Sequence, residues 1–221
     1  MLLFKYAKVG SAVYTPHLVL MHSFTMAIRR CGLSVRFSEG FNPHERIFFA
    51  PPLPIGTASE CEYFSVDSSE NPQDSMKRLN GSLQEGVTIL KAAERAENPN
   101  FAAVSYAAEY EITQSSPPPC VIDLKNILAQ DKYEISFEQK GETVKKDVRG
   151  LIFDLKISEI PHSSLLTPNY LFTLACGNQN LRADRLMRHL LKSVGQEDAY
   201  FTVTKKRLFD KNFVDIDTRF F

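Results

Sequence analysis

The chain has 221 residues, of which 43% are hydrophobic and 24% charged, with 26 Lys+Arg balanced by 26 Asp+Glu. That is enough apolar material for one large core or two cores of about 100 residues each, and a net charge of zero argues against the strongly basic surface of an autonomous, non-specific nucleic-acid binder. No apolar run approaches the roughly 20 residues of a membrane span, and Met1-Leu2-Leu3-Phe4 meets Lys5 at once, so a cytoplasmic protein without leader or anchor is expected.

Residues 2–9 read as a strand closed by Gly10. Thr15 then offers an N-cap and Pro16 a proline at the first helical position. Leu20, Met21, Phe24, Ala27, Ile28 and Cys31 recur at helical spacing, Arg29 and Arg30 suit the negative end of the dipole, and Gly32 supplies the stop. Strands are predicted at Ser34–Ser38 and Arg46–Ala50, flanking the loop Glu39-Gly40-Phe41-Asn42-Pro43-His44, and at Glu62–Val66. A proline-rich stretch, Ala50–Gly56, separates the last two and is expected to lie beside that loop and line one groove with it. A helix over Pro72–Leu83 and a strand over Val87–Ala92 complete the order strand, helix, strand, strand, helix, strand, which is ferredoxin-like.

The second half repeats that order less clearly. Strands are predicted at Ser105–Thr113, Lys132–Gln139, Val148–Ile157, Tyr170–Ala175 and Tyr200–Lys206, with helices at Cys120–Ala129 and Ala183–Ser193. Gly141-Glu142 suggests a hairpin, and Ser115-Ser116-Pro117-Pro118-Pro119 an extended connector. The expected fold class is therefore α+β, with two sequential ferredoxin-like domains at 1–97 and 102–221, the second carrying an extra strand or hairpin.

Cys31, Cys61, Cys120 and Cys176 stand far apart, whereas iron–sulfur and zinc sites draw on pairs two to four residues apart. They read as free thiols that pack like small hydrophobes. There is no glycine-rich phosphate loop, no Gly-x-Ser-x-Gly elbow and no His-Glu-x-x-His. No cofactor and no metal are expected, and most familiar enzyme classes are disfavoured.

The charge is unevenly placed. Residues 1–50 hold six basic and two acidic side chains, and residues 180–221 nine basic and six acidic, so both ends are locally basic. Arg29, Arg30, Arg182, Arg185, Arg188 and Arg207 are the candidate phosphate contacts, and Arg185, Arg188 and Lys192 share one helical face. A solvated charged face is the plain alternative. In the loop, Gly40 permits a positive φ and Asn42-Pro43 fixes a turn, so Ser38, Phe41 and Asn42 are candidate ligand contacts. Phe41 could instead plug an interface. His17 and His44 are the candidate acid–base pair, or two structural imidazoles each bound to a backbone carbonyl.

The ordered series Thr15-Pro16-His17-Leu18, Arg29-Arg30-Cys31-Gly32-Leu33, Gly40-Phe41-Asn42-Pro43-His44, Pro51-Pro52-Leu53-Pro54-Ile55-Gly56 and Glu62-Tyr63 resembles the radical-SAM-linked protein family of unknown function. The match is dense over about the first 65 residues. It departs at Thr15, Val19 and His22, where that family commonly has Ser, Asp and Arg. Members are fused behind a radical SAM domain of cobalamin-binding type or encoded beside one. The resemblance thus implies a partner, a radical SAM protein encoded nearby, and an accessory or substrate-binding role related to RNA (rRNA or tRNA). The rivals are a small RNA-processing nuclease using His17 and His44, and a purely structural partner of the radical SAM chain.

Overall fold

The computed structural model describes residues 1–116, 122–139, 141–158 and 169–221. The chain divides into two compact units, Met1–Ser105 with Arg207–Phe221, and Tyr106–Lys206.

The first unit opens with β1 (Leu2–Lys8), and a 3₁₀ turn over Gly10–Tyr14 leads into α1 (His17–Arg30). The sequence favoured Thr15 as N-cap, but Pro16 occupies that position and makes no side-chain cap; the Thr15 carbonyl is instead taken by the Lys8 ammonium at 2.9 Å. Next come β2 (Ile47–Phe49), β3 (Thr57–Val66), α2 (Pro72–Asn80), β4 (Val87–Glu94) and the short α3 (Phe101–Val104). The strands lie in the order β4-β1-β3-β2, every neighbour antiparallel. Ser34–Ser38 does not form the predicted strand. Only Phe37 bridges Glu45, while Arg36, Arg46 and Asp67 exchange their backbone bonds in a ring: Arg36 N to Asp67 O, Asp67 N to Arg46 O, Arg46 N to Arg36 O.

Alternation in β3 sends Phe64 to one face and Tyr63 to the other. Phe64 meets Phe4, Phe24 and Phe49 at ring-centroid distances of 4.9, 4.8 and 5.4 Å, and Leu2, Leu20, Ile28 and Val66 complete this core under α1. On the opposite face Tyr63 packs on Phe101 at 5.4 Å and on the terminal Phe221 at 5.9 Å. Where β4 starts, Gly86 has φ +80, and a Cβ there would run into the Val9 carbonyl and Ala12.

The second unit runs β5 (Ala107–Ser116), α4 (Lys125–Leu128), a hairpin of β6 (Glu134–Gln139) and β7 (Glu142–Asp147), then β8 (Ile152–Ser158), β9 (Asn169–Ala175), α5 (Ala183–Ser193) and β10 (Tyr200–Phe209). Its sheet has the order β10-β5-β9-β8, and β6 pairs only with β7 as a separate ribbon. The helix expected from Cys120 is only the single turn α4, and the connector Pro117-Pro118-Pro119 and Cys120 fall outside the described residues. Amphipathic α5 buries Leu186, Met187, Leu190 and Leu191, as its pattern predicts.

The chain then returns. Residues 207–221, expected with the second domain, belong to the first unit. The last helix, α6 (Ile216–Phe220), is capped by Asp215, and Asp217 binds both Lys5 at 3.1 Å and Lys91 at 3.0 Å. A 15-residue tail carries no sequence signal for such a docking partner, since every contact is remote in sequence. No described helix is long and apolar enough to cross a membrane.

Candidate functional site

The residues that carry the resemblance gather at two places in the first unit. At the end of β1, Lys8 is 1% exposed; its ammonium donates to the Thr15 carbonyl at 2.9 Å and the Val13 carbonyl at 3.3 Å. Across the ladder stand Ser59, opposite Lys8, and Glu62, opposite Tyr6. The Ser59 hydroxyl donates to Glu62 Oε1 at 2.7 Å, with both residues buried. Burial pushes the Lys8 pKa down while the Glu62 carboxylate pulls it back. His17 begins α1, stands edge-on to Phe49 at 6.2 Å and lies in the field of the same pair. Burial lowers its pKa, with Glu62 opposing and Lys8 adding to the shift, so the imidazole is held neutral. This cluster fastens the start of α1 to β1 and β3, because a buried charge persists only when paired and hydrogen-bonded.

The second place is the loop after Phe37. Its neck is closed three times: Ser38 N–H donates to the His44 carbonyl at 2.8 Å, His44 N–H to Ser38 Oγ at 3.1 Å, and Ser38 Oγ meets His44 Nδ1 at 2.9 Å. Gly40 turns the tip at φ +114, and Phe41 is left 106% exposed. Asn42 is exposed beside it. The Phe41 ring thus stands wholly in water on a hydrogen-bonded stalk. Arg29 pairs with Glu45 at the stalk's base and holds that carboxyl below the ordinary range. Arg30 donates to the Ser82 carbonyl at 2.6 Å.

Among the described residues, His17 and His44 therefore have separate neighbours, Phe49 for the one and Ser38 for the other, and no contact joins the two imidazoles. The arginines expected beside them serve Glu45 and a carbonyl. The proline stretch and the loop leave from opposite ends of β2: Gly56 N–H bonds Val13 O at 2.9 Å, while the loop closes at Ser38 and His44.

The second unit holds a groove of about 880 Å³. Its floor is α5, one wall is the β6–β7 hairpin, and the other is the turn after α5 leading into Phe201. Arg185, Arg188, His189 and Lys192 look into it from a single helical face. The Arg185 guanidinium lies 4.2 Å from the centre of the Phe137 ring, and that of Arg188 4.6 Å from Phe201. Arg188 Nη1 also donates to the carbonyls of Glu197 at 2.8 Å and Ala199 at 3.0 Å, pinning the turn. His189 Nδ1 accepts from the Ser136 N–H at 3.4 Å, and its ring stands perpendicular to Tyr133. Burial, then the Lys192 charge, lowers the His189 pKa, which keeps Nδ1 free to accept.

The carboxylates in the groove are mostly engaged. Asp184 takes a two-pronged bond from Arg182, at 3.0 and 2.6 Å; Glu138 accepts from Thr143 and Glu197 stands 3.9 Å from Lys192. Arg185 has no hydrogen-bond or ion-pair partner among the described residues, only the Phe137 ring. The Arg185–Arg188–Lys192 stripe is thus a groove floor, while Arg182 is spent on Asp184 and Arg207 lies on β10 in the part belonging to the first unit. Sequence reasoning missed His189 on α5 itself, Tyr133 and Phe137, which the β6–β7 hairpin some fifty positions upstream brings to that helix, and Phe201, which β10 brings.

Of the four cysteines, Cys61 and Cys176 are buried thiols and Cys31 is half-buried, its Sγ donating to the Ile28 carbonyl.

No curated protein matches the chain. Among solved structures it is similar to a chain of a Cbf5-Nop10-Gar1 complex, with 10% identity and a TM-score of 0.46 over 93% of this chain and 49% of that one, so it spans about half of that chain's length. It is similar also to an unknown protein from Galdieria sulphuraria, with 12% identity and a TM-score of 0.22 over 92% and 96% of the two chains. Neither likeness extends to function. Residues 1–183, from β1 to the first residue of α5, match the family described as an uncharacterised protein conserved in bacteria (DUF2344), and the chain belongs to that family.

Proposed function

We propose that this protein is an accessory, RNA-binding subunit of a separate radical SAM enzyme of cobalamin-binding type, the second unit taking the RNA and the first unit the enzyme. The observation that carries the RNA half is the groove over α5, where Arg185 lies on Phe137 with no anion of its own. An unneutralised guanidinium among aromatic rings suits phosphates and bases together. A chain of zero net charge needs such a local site, since its overall field attracts no polyanion.

The partner half is supported by the resemblance in the first 65 residues and by Phe41, raised on its closed stalk. The strand order in each unit, fourth-first-third-second, supports reading both as ferredoxin-like, the second with the β6–β7 hairpin inserted. The proposed setting is the cytoplasm, where such an enzyme and its RNA would meet.

Ultraviolet crosslinking in cells, followed by purification of this protein, tests both halves. The expected result is recovery of RNA together with the radical SAM protein. Recovery of the protein partner without RNA would leave only the structural-partner reading, and recovery of neither would overturn the proposal.

A further inference from the structure

The two arginine–phenylalanine pairs on α5 look alike but differ in what their guanidinium edges do. Arg188 spends its Nη1 on the Glu197 and Ala199 carbonyls, with its guanidinium carbon 4.6 Å from the centre of the Phe201 ring. Two of its five N–H donors are thereby committed to the turn, which holds the guanidinium against that ring. Arg185 rests on Phe137 with its donors uncommitted among the described residues. Its remaining asset is its fork of N–H groups, which matches the geometry of phosphate oxygens. The two stand three residues apart, about 4.5 Å along one helix, so plane and fork face the same space.

We propose that this groove takes unpaired RNA, with Arg185 binding a backbone phosphate and the Arg188 plane, fixed on Phe201, stacking on an unstacked base. This rests on the RNA reading above. A duplex keeps its bases stacked on one another and offers no ring face, and a groove of about 880 Å³ has room for a nucleotide or two. Each guanidinium is already immobilised by its ring, so little rotamer freedom is lost on binding. Lys192 lies one turn beyond Arg188 and supplies a second, mobile charge to the same strand. Glu138 and Asp198 in the walls set a limit on how many phosphates can enter, which favours a short, kinked segment over a long electrostatic track.

The test is fluorescence anisotropy with the full chain and three probes: a 12-nucleotide uridine oligomer, a duplex of the same length, and inorganic polyphosphate of matching charge, each across a salt series. The wild-type protein is expected to bind the oligomer at least about tenfold more tightly than either other probe, since stacking alone contributes on that order. Arg185→Ala should weaken oligomer and polyphosphate alike by about tenfold and lower the salt slope by about one. Arg188→Lys keeps the charge and loses the plane, so it should weaken the oligomer and spare polyphosphate. Because Arg188 also pins the turn, Phe201→Leu is measured beside it, with melting checked for both; it should show the same selective loss. Equal binding of oligomer, duplex and polyphosphate would overturn this inference while leaving RNA binding in place. An oligomer affinity unmoved by Arg185→Ala would do the same. Failure of the wild-type protein to bind any RNA would overturn the RNA reading itself.

Discussion

The two units treat their charged side chains differently. In the first, Lys8 is buried against two carbonyls in the field of Glu62, Arg29 pairs with Glu45, and Lys5 and Lys91 share Asp217. In the second, Arg185 keeps its charge on the floor of a groove and, among the described residues, is steadied only by a ring. The first arrangement fixes the chain and leaves Phe41 the most exposed of its apolar rings. The second leaves a cation in place for an anion that this chain does not supply. Charge that is paired internally holds a fold together, and charge that is left unpaired beside a cavity is available for recognition.

If that contrast is right, substitutions in the two units should separate stability from binding. The largest stability effect is expected for Phe24→Ala, which removes the ring touching Tyr6, Phe49 and Phe64 and should cost about 3–5 kcal/mol in urea denaturation. Gly86→Ala comes next. It places a methyl against the Val9 carbonyl and Ala12 at a positive φ, for a cost of about 1–3 kcal/mol. RNA affinity of either variant, measured where it remains folded, should equal that of the wild type.

Acid should act in two stages. His17 and His189 have folded pKa values below their ordinary one, chiefly through burial. Between the folded value and about 6.5 the unfolded chain therefore binds more protons, so stability falls as pH drops through that window. His189→Gln should remove the second unit's share. Burial raises the Asp217 carboxyl, but Lys91 and Lys5 outweigh it and the folded value lies below the ordinary one. Its contribution is present above about pH 4 and is lost as pH falls through the folded value. Asp217→Asn should flatten that lower limb in a pH-dependent melting series. Least of all, Arg185→Ala should change stability by no more than about 0.5 kcal/mol, because its one partner among the described residues is the Phe137 ring.

The sequence showed the elements whose signals are local. α5 has the predicted bounds, the apolar face of α1 is buried at Leu20, Phe24, Ala27 and Ile28, and the hairpin turns at Gly141. It misplaced what depends on remote partners. The start of α1 shifted because Lys8 takes the Thr15 carbonyl, and Ser34–Ser38 failed as a strand because Asp67 competes for its backbone. Residues 207–221 dock on the first unit through Asp217, Phe220 and Phe221, none of which announces Lys5, Phe101 or Tyr63. The same holds at the candidate site. The cationic stripe on α5 was legible from its three- and four-residue spacing, whereas Phe137 and Phe201 entered only when the chain brought the hairpin and β10 to that helix.

The proposed division of labour between the units is tested most directly by a pair of variants, Phe41→Ser and Arg185→Ala, each assayed for co-purification of the proposed radical SAM partner and for affinity to the uridine oligomer. Phe41→Ser should lose the protein partner and bind the oligomer as the wild type does, while Arg185→Ala should keep the partner and lose about tenfold in oligomer affinity. Loss of both properties in either variant, or of neither in both, would contradict the account.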